Sequence, residues 1–446
     1  MPAETLPQPS PPLEKQTTVG NYFVSNYPPF SFWKPEFVPN VLAALEQPPA
    51  APVAPLGVYL HIPFCRKRCH FCYFKVYTDK DSSAIRGYID AALKELALYA
   101  AKPFIAGRKA DFVYFGGGTP SYLSVDQLKY LTDAMKAHVP WDEAEEVTFE
   151  CEPGTLTSHK LKAIREMGVT RLSLGVENFD DHILEINGRA HHSKEIARAY
   201  AYARELDFPQ INIDLIAGMV EETEANWREN VRKTIEMAPD SVTIYQMEVP
   251  YNTTIYQEMK AAGKLTAPVA DWETKRGWVA EAFAELEKAG YTIGSAYTAV
   301  KTKEKTRFIY RDRLWAGADL LGLGVASFGH LRGHHYQNQH DFEPYLKAVQ
   351  GGQFPIYRAL TPSADERLIR EFILQLKLGR TQFGYFQQKF GVDPRQRFAT
   401  PLRALVDWGY ARLEDGAVIL NREGLLQVDR LLHEFFLPEH KNARYA

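Results

Sequence analysis

No run of lysine and arginine dense enough to grip phosphates stands anywhere in these 446 residues, and the formal net charge is −3. That argues against a nucleic-acid partner held by backbone contacts. No apolar stretch approaches the roughly 20 residues needed to span a bilayer, so no membrane span is expected. The amino terminus, MPAETLPQPSPPLEKQ, lacks the basic start and apolar core of a secretory signal, and a cytoplasmic location is expected. Cysteine is scarce, four in all. Three of the four fall between positions 65 and 72, which is no disulfide framework. Thiols spaced so closely in a reducing compartment usually bind metal or do redox work. No internal repeat is present beyond an alternation of strand and helix patterns.

What is present reads as three parts. Residues 1–20 are Pro-rich and polar, with little to bury, and are expected to be disordered. NYFVSNYPPFSFW, 21–33, carries six aromatics that must pack on something, as a docking arm or as a lid over a substrate. QPPAAPVAP, 47–55, is a stiff linker, which closes a first part at 1–55. Short apolar runs then alternate with amphipathic segments: 57–62, 112–115, 146–150, 171–174, 211–216 and 241–246. Strand, helix, strand at this pitch means βαβ units and a parallel sheet. Six strands predict a partial (β/α)6 barrel over 56–300, with its chemistry at the carboxyl ends of the strands. The remainder, 301–446, predicts a mostly helical, winged-helix-like domain, with a two-strand wing at 409–413 and 416–420.

The sharpest motif is CRKRCHFC, in the loop after the first strand. Cys65, Cys69 and Cys72, at C-x3-C-x2-C, suit three irons of a 4Fe–4S cluster, which takes thiolate ligands. No fourth Cys follows in the loop, so one iron stays open to a substrate. Zinc wants four ligands, and the short loop aims His70 elsewhere. GGGTP, 116–120, directly follows the second strand. Its glycines let the backbone approach a ligand and leave N–H and C=O groups free to bond it. Cys151 follows Glu150 and faces the other way in a strand, as a buried inert thiol. HLRGHHYQNQH, 330–340, holds four histidines and reads as a solvated loop rather than a metal site.

HIPFCRKRCHFC resembles the radical S-adenosylmethionine (SAM) superfamily. YLHIPFC, GGGTPSYL, LSLGVENF, NGR, NIDLIAG, GLGVASFG and YQNQ resemble, in order and spacing, oxygen-independent coproporphyrinogen III oxidase and its relatives. The resemblance covers roughly residues 20–435. It implies that the open iron binds SAM and that reductive cleavage releases a 5′-deoxyadenosyl radical, with electrons from a donor such as flavodoxin or ferredoxin. It further implies that Tyr59, Gly116, Gly117 and Glu150, with backbone near Met247 and Phe328, touch the cluster-bound SAM. Phe71, Gly118, Thr119, Glu177, Arg189 and Asp214 would hold a second SAM. Arg189 suits a carboxylate through its planar donor fork.

Two positions depart from the oxidase pattern. Phe74 stands where the oxidase has a further Cys, and would pack the loop onto the barrel; Glu177 replaces Gln. These departures favour a class C radical SAM methyltransferase or cyclopropanase, in which the second SAM donates a methyl or methylene unit to an sp2 carbon. The alternative is coproporphyrinogen III decarboxylation, with propionates becoming vinyl groups. A haem chaperone is a third reading, but YRDRLWAGADLLGLG lacks the HN-x-x-YW motif of those relatives. The expected substrate is a small aromatic, alkene or tetrapyrrole molecule.

Overall fold

The computed structural model describes residues 22–264, 268–302, 306–441 and 443, so the disorder expected at 1–20 lies outside the described residues. The six apolar runs form parallel strands: β1 (Leu56–Ile62), β2 (Phe112–Gly117), β3 (Glu146–Cys151), β4 (Arg171–Glu177), β5 (Gln210–Ala217) and β6 (Ser241–Gln246). They run side by side in that order. Helices cover their outer face, so the outward side chains of each run are apolar, such as Val147, Phe149, Leu172, Leu174, Ile211 and Ile213. The helices start where short polar side chains take up free N–H groups. Asp81 accepts from Ala84 N, Thr157 from Lys160 N and Thr223 from Asn226 N, and Ser124 with Gln127 makes a reciprocal capping box.

Period two sends alternate side chains to the other, inner face. The register aligns Tyr59 with Tyr114, Glu150 with Ser173, Gly175 with Asp214, and Asp214 with Thr243. The barrel is therefore apolar outside and polar within. Past β6 the sheet turns antiparallel through β7 (Thr292–Ile293) and β8 (Thr298–Val300), with β8 next to β6.

On the other side of β1 stands a seventh parallel strand, β9 (Asp319–Leu323), followed by antiparallel β10 (Phe328–Leu331), β11 (His334–Asn338) and β12 (Ile356–Leu360). This corrects the solvated loop expected at 330–340. His330 and His335 are buried, cross-strand neighbours in β10 and β11, with ring centroids 4.7 Å apart. Trp33 stacks on His335 at 5.3 Å. The glycines and histidines that suggested a loop are explained by close packing. A Cβ at Gly329 would stand 2.1 Å from the Tyr336 ring, and one at Gly322 would stand 2.1 Å from the Phe328 carbonyl oxygen.

A second apolar core gathers the carboxyl-terminal helices, among them Ala364–Leu376, Phe383–Phe390 and Ala399–Asp407. The expected wing is present as β14 (Ala411–Glu414) and β15 (Ala417–Leu420), with β13 (Arg380–Gln382) as a third strand on β15. The aromatic arm docks on this core. Val24 and Tyr27 are fully buried within it, each worth about 1.5–3 kcal/mol of transfer free energy. Phe23 N donates to Glu248 Oε1 at 2.6 Å and Val24 N to Asp429 Oδ1 at 2.8 Å. Lys377 closes the joint: its ammonium is 2.7 Å from Asp429 Oδ1, donates to Val24 O at 2.7 Å, and lies 3.8 Å over the Phe23 ring.

Candidate active site

The loop carrying Cys65, Cys69 and Cys72 leaves β1 at the carboxyl end of the sheet, and all three thiols are partly exposed. Three anchors hold it. Arg66 makes a two-pronged ion pair with Glu152, 3.0 and 2.8 Å, just past β3. Burial alone would raise Glu152, but bonds from His191 and Arg66 outweigh it and hold the carboxyl at about 2. His70 turns away from the thiols: its N–H donates to Asn187 O at 3.0 Å, its Nδ1 lies 3.0 Å from Ile186 O, and its carbonyl accepts from Ile255 N. Gly188, at φ +78°, lies against the His70 ring, where a Cβ would stand 2.7 Å away. That contact explains the glycine of NGR. Arg68 donates to Cys72 O at 3.1 Å and Asn252 O at 3.2 Å, fixing the end of the loop.

The donors around the thiols fit a thiolate-held cluster. Thr119 Oγ1 donates to Cys65 Sγ and Arg189 Nη1 to Cys69 Sγ, both at 3.3 Å. Among the described residues, no three His, Cys, Asp or Glu side chains group as a site for a single metal ion. A 4Fe–4S cube needs no such convergence, since it takes one thiolate per iron corner. Burial pushes Cys65 up to about 11 and Cys72 up to about 12, so loading iron displaces protons from them.

Beside the loop lies the glycine turn that ends β2. Gly118 N donates to Ile62 O at 2.8 Å, and a Cβ there would stand 3.0 Å from Cys65 Sγ. Gly117, at φ +109°, donates its N–H to Glu150 Oε2 at 3.2 Å, and Tyr114 OH donates to Glu150 Oε1 at 2.5 Å. A Cβ on Gly116 would stand 2.7 Å from the Tyr114 ring and 3.1 Å from Glu150 Oε2. The turn, Tyr114 and Glu150 are one packed unit under the cysteine loop.

Across the lumen, Glu177 ends β4 at φ 65°, where the register with β5 shifts. A non-glycine residue in this region is uncommon, and the bulge re-aims the carboxylate. It comes within 3.7 Å of Arg189 Nη2, which also donates to Gly175 O. Asp214 accepts from Ser173 Oγ at 2.8 Å and Asn212 Nδ2 at 2.9 Å. Burial, the leading cause in each case, pushes Glu150 and Glu177 up to about 7 and raises Asp214; Asp214 adds to the rise of both glutamates. Three carboxylates thus share one chamber with few cations, a setting that favours a positively charged ligand.

Phe71 and Met247 meet in one apolar patch with Ile183, Ile216 and Met219. Phe328 is 36% exposed at the start of β10 and faces Phe30 of the arm at 4.7 Å. Sequence reasoning passed over Tyr114, Arg66, Glu152, Ser173 and Asn212. Period-two alternation within the strand runs carried a signal for Tyr114, Ser173 and Asn212. Nothing local marked the Arg66–Glu152 pair.

This geometry, a three-cysteine loop above the carboxyl ends of parallel βα units, is that of a radical SAM domain. Residues 59–234 match the model of the radical SAM superfamily. Along most of its length the chain is similar to oxygen-independent coproporphyrinogen III oxidases and their relatives. An enzyme of that name from Synechocystis sp. is 27% identical over 423 residues, 90% of this chain and 89% of that protein. A heme chaperone from Bacillus subtilis is 28% identical, covering 83% of this chain and 96% of its own length. The solved coproporphyrinogen III oxidase of Escherichia coli shares the fold, with TM-score 0.80 at 24% identity over 93% of this chain and 96% of that one.

These findings overturn the class C transfer reaction expected from Phe74 and Glu177, and they fit the oxidase alternative better. The structure supplies the physical reason. Phe74 does not pack the loop onto the barrel: it is 46% exposed and lies against Tyr73, ring centroids 4.6 Å apart. Its backbone N–H reaches the Cys72 thiol, which any residue there supplies, and a side chain on the rim does not report on the chemistry beneath it. Among the described residues no helix is long and apolar enough to cross a membrane.

Proposed function

We propose that the protein oxidises coproporphyrinogen III or a close tetrapyrrole, converting propionate side chains to vinyl groups with release of carbon dioxide. The observation that carries this reading is a set of exposed aromatic rings beside the buried carboxylates, with Tyr73 and Tyr245 close enough to sense Glu150. Tyr73, Phe74, Tyr245, Tyr251 and Phe328 are each between 36% and 56% exposed, although large apolar side chains are normally covered. A cationic cofactor suits the chamber, and a flat, apolar macrocycle suits the rim. That curated relatives matched along most of the chain bear the oxidase name supports the same reading.

In this reading Cys65, Cys69 and Cys72 hold a 4Fe–4S cluster. Tyr59, Gly116, Gly117, Glu150, Met247 and Phe328 contact the SAM bound to it. Phe71, Gly118, Thr119, Glu177, Arg189 and Asp214 hold a second SAM. When bound, cluster and SAM supply one-electron cleavage and hydrogen-atom abstraction. The chain's own residues orient and enclose. Tyr114 and Gly117 N–H fix the Glu150 carboxylate. Arg189 ties the second carboxylate cluster to the cysteine loop through Cys69 and Gly175. A small reductase such as flavodoxin or ferredoxin supplies the electron that cleaves SAM, and a one-electron acceptor takes the electron that each substrate radical gives up as it loses carbon dioxide and becomes a vinyl group.

Anaerobic incubation of the reconstituted protein with SAM, a reductant and coproporphyrinogen III tests the proposal. Carbon dioxide, a vinyl-bearing product and 5′-deoxyadenosine should appear together. Formation of 5′-deoxyadenosine with every propionate intact would overturn the reading. So would stable haem capture without substrate conversion.

A further inference from the structure

Three register-paired residues cross the sheet beyond β9 in one row: Phe328 of β10, Gln337 of β11 and Arg358 of β12. Paired residues point to the same face. β10 and β12 begin, and β11 ends, at the edge that continues the carboxyl ends of the parallel strands. The row therefore borders the mouth.

Arg358 is unusual within it. The side chain is half-buried, and both of its bonds go to neutral oxygens: Nε donates to Gln337 Oε1 at 2.7 Å and Nη1 to Phe30 O at 3.0 Å. Among the described residues it makes no ion pair, and the neighbouring titratable groups it senses are Tyr357 and Tyr251, not a carboxylate. A partly desolvated cation without an anion costs free energy unless a ligand supplies the charge. Aromatic side chains near it in the sheet and the adjoining loop are open to solvent: Tyr251, Tyr357 and Phe328 are 56%, 41% and 36% exposed. The chamber alongside is acidic and repels a polycarboxylate, so such a substrate needs a cation outside the chamber to hold it.

We infer that Arg358 is a carboxylate-binding site on the rim, taking one propionate of a flat tetrapyrrole whose ring lies against the exposed aromatics. Gln337 and the Phe30 carbonyl occupy two of the five guanidinium donors and fix the plane of the fork. The remaining edge is left for two-pronged pairing with a carboxylate. The inference rests on the tetrapyrrole reading above and adds to it the residue that recognises an acidic side chain.

The test uses the full reconstituted chain and two probes of the same ring: coproporphyrin III, with free carboxylates, and its tetramethyl ester. Binding is followed by the shift of the porphyrin absorbance. Arg358→Met should weaken coproporphyrin III by about 10- to 100-fold, the range of a charged hydrogen-bonded contact, and weaken the ester less than about threefold. Arg358→Lys, with charge but no fork, should fall between for the free acid. Equal loss for both probes would mean that Arg358 only props the arm through Phe30, and would overturn the inference. So would unchanged binding of the free acid. If the unmutated protein binds neither probe, the tetrapyrrole reading itself falls, and the carboxylate site with it.

Discussion

The joint between the aromatic arm and the second core makes a quantitative prediction through Asp429→Asn. In the unmutated protein Lys377 is fully buried, and Asp429 is its only ion-pair partner among the described residues. Asparagine keeps the shape, and its oxygen still accepts from Val24 N, but the charge is gone. Removing one member of a buried pair typically costs about 3–5 kcal/mol, because the other charge is left uncompensated. Burial already lowers the Lys377 pKa, so the ammonium relieves part of that cost by shedding its proton, and the low end of the range applies. Against this, Val24 and Tyr27 together hold the arm with about 3–6 kcal/mol of transfer free energy, less the entropy of ordering the segment. A loss of about 3 kcal/mol therefore shifts the docking equilibrium by roughly two orders of magnitude. Hydrogen exchange followed by mass spectrometry reads it directly. Exchange in the peptide spanning 22–33 should accelerate by about that factor, while a peptide from helix Ala364–Leu376 in the same core stays protected. Acceleration of both peptides together would refute the reasoning, since the pair would then be holding the whole carboxyl-terminal unit rather than the arm. No acceleration in either would show that the apolar contacts alone suffice.

Two further outcomes are expected. Gly188→Ala forces a Cβ into the His70 ring at a positive φ, so anaerobic reconstitution should fall well short of about four irons per chain, whereas Cys151→Ala should load normally; full iron in the glycine variant would mean that the His70 anchor does not set the loop. Glu95, fully buried and bonded to Gly324 N, Asn338 and Tyr345, is pushed by burial from its ordinary 4.5 up to about 7. The folded protein thus holds this proton more tightly than the unfolded chain, and stability falls as pH rises from about 4.5 through 7, by about 3 kcal/mol from this group. Glu95→Gln should therefore gain on the unmutated protein in urea unfolding between pH 5 and pH 8, and a gap that does not change with pH would refute the assignment.

The barrel strands were legible because every second residue of each short run is apolar and faces the covering helices, and the helices between them carry their own start signals. The cysteine loop and the glycine turn were legible because their ligands or turns are close in sequence. β9 was harder to see. It pairs with β1 across more than 250 positions, and a pairing that distant leaves no local pattern. The strands after it were concealed by their own packing. Glycines that admit Tyr336 and the Phe328 carbonyl look like loop residues, and buried histidines look like solvated ones. Phe74 misled for a related reason: a difference from a family pattern is visible in sequence, but its distance from the reacting atoms is not.

The single sheet running from β12 to β6 also sets a scale. Neighbouring strands sit about 4.8 Å apart, and four spacings separate β12 from β1 in the order β12-β11-β10-β9-β1. Arg358 and the root of the cysteine loop are thus about 19 Å apart along the ladder, a separation counted in whole strands. Lengthening a connecting loop leaves that interval unchanged, and only the gain or loss of a strand alters it, in a step of nearly 5 Å. The sheet works as a ruler with coarse graduations, so a relative that accepts a larger or smaller ring must adjust side chains at the rim, because its backbone offers no finer division.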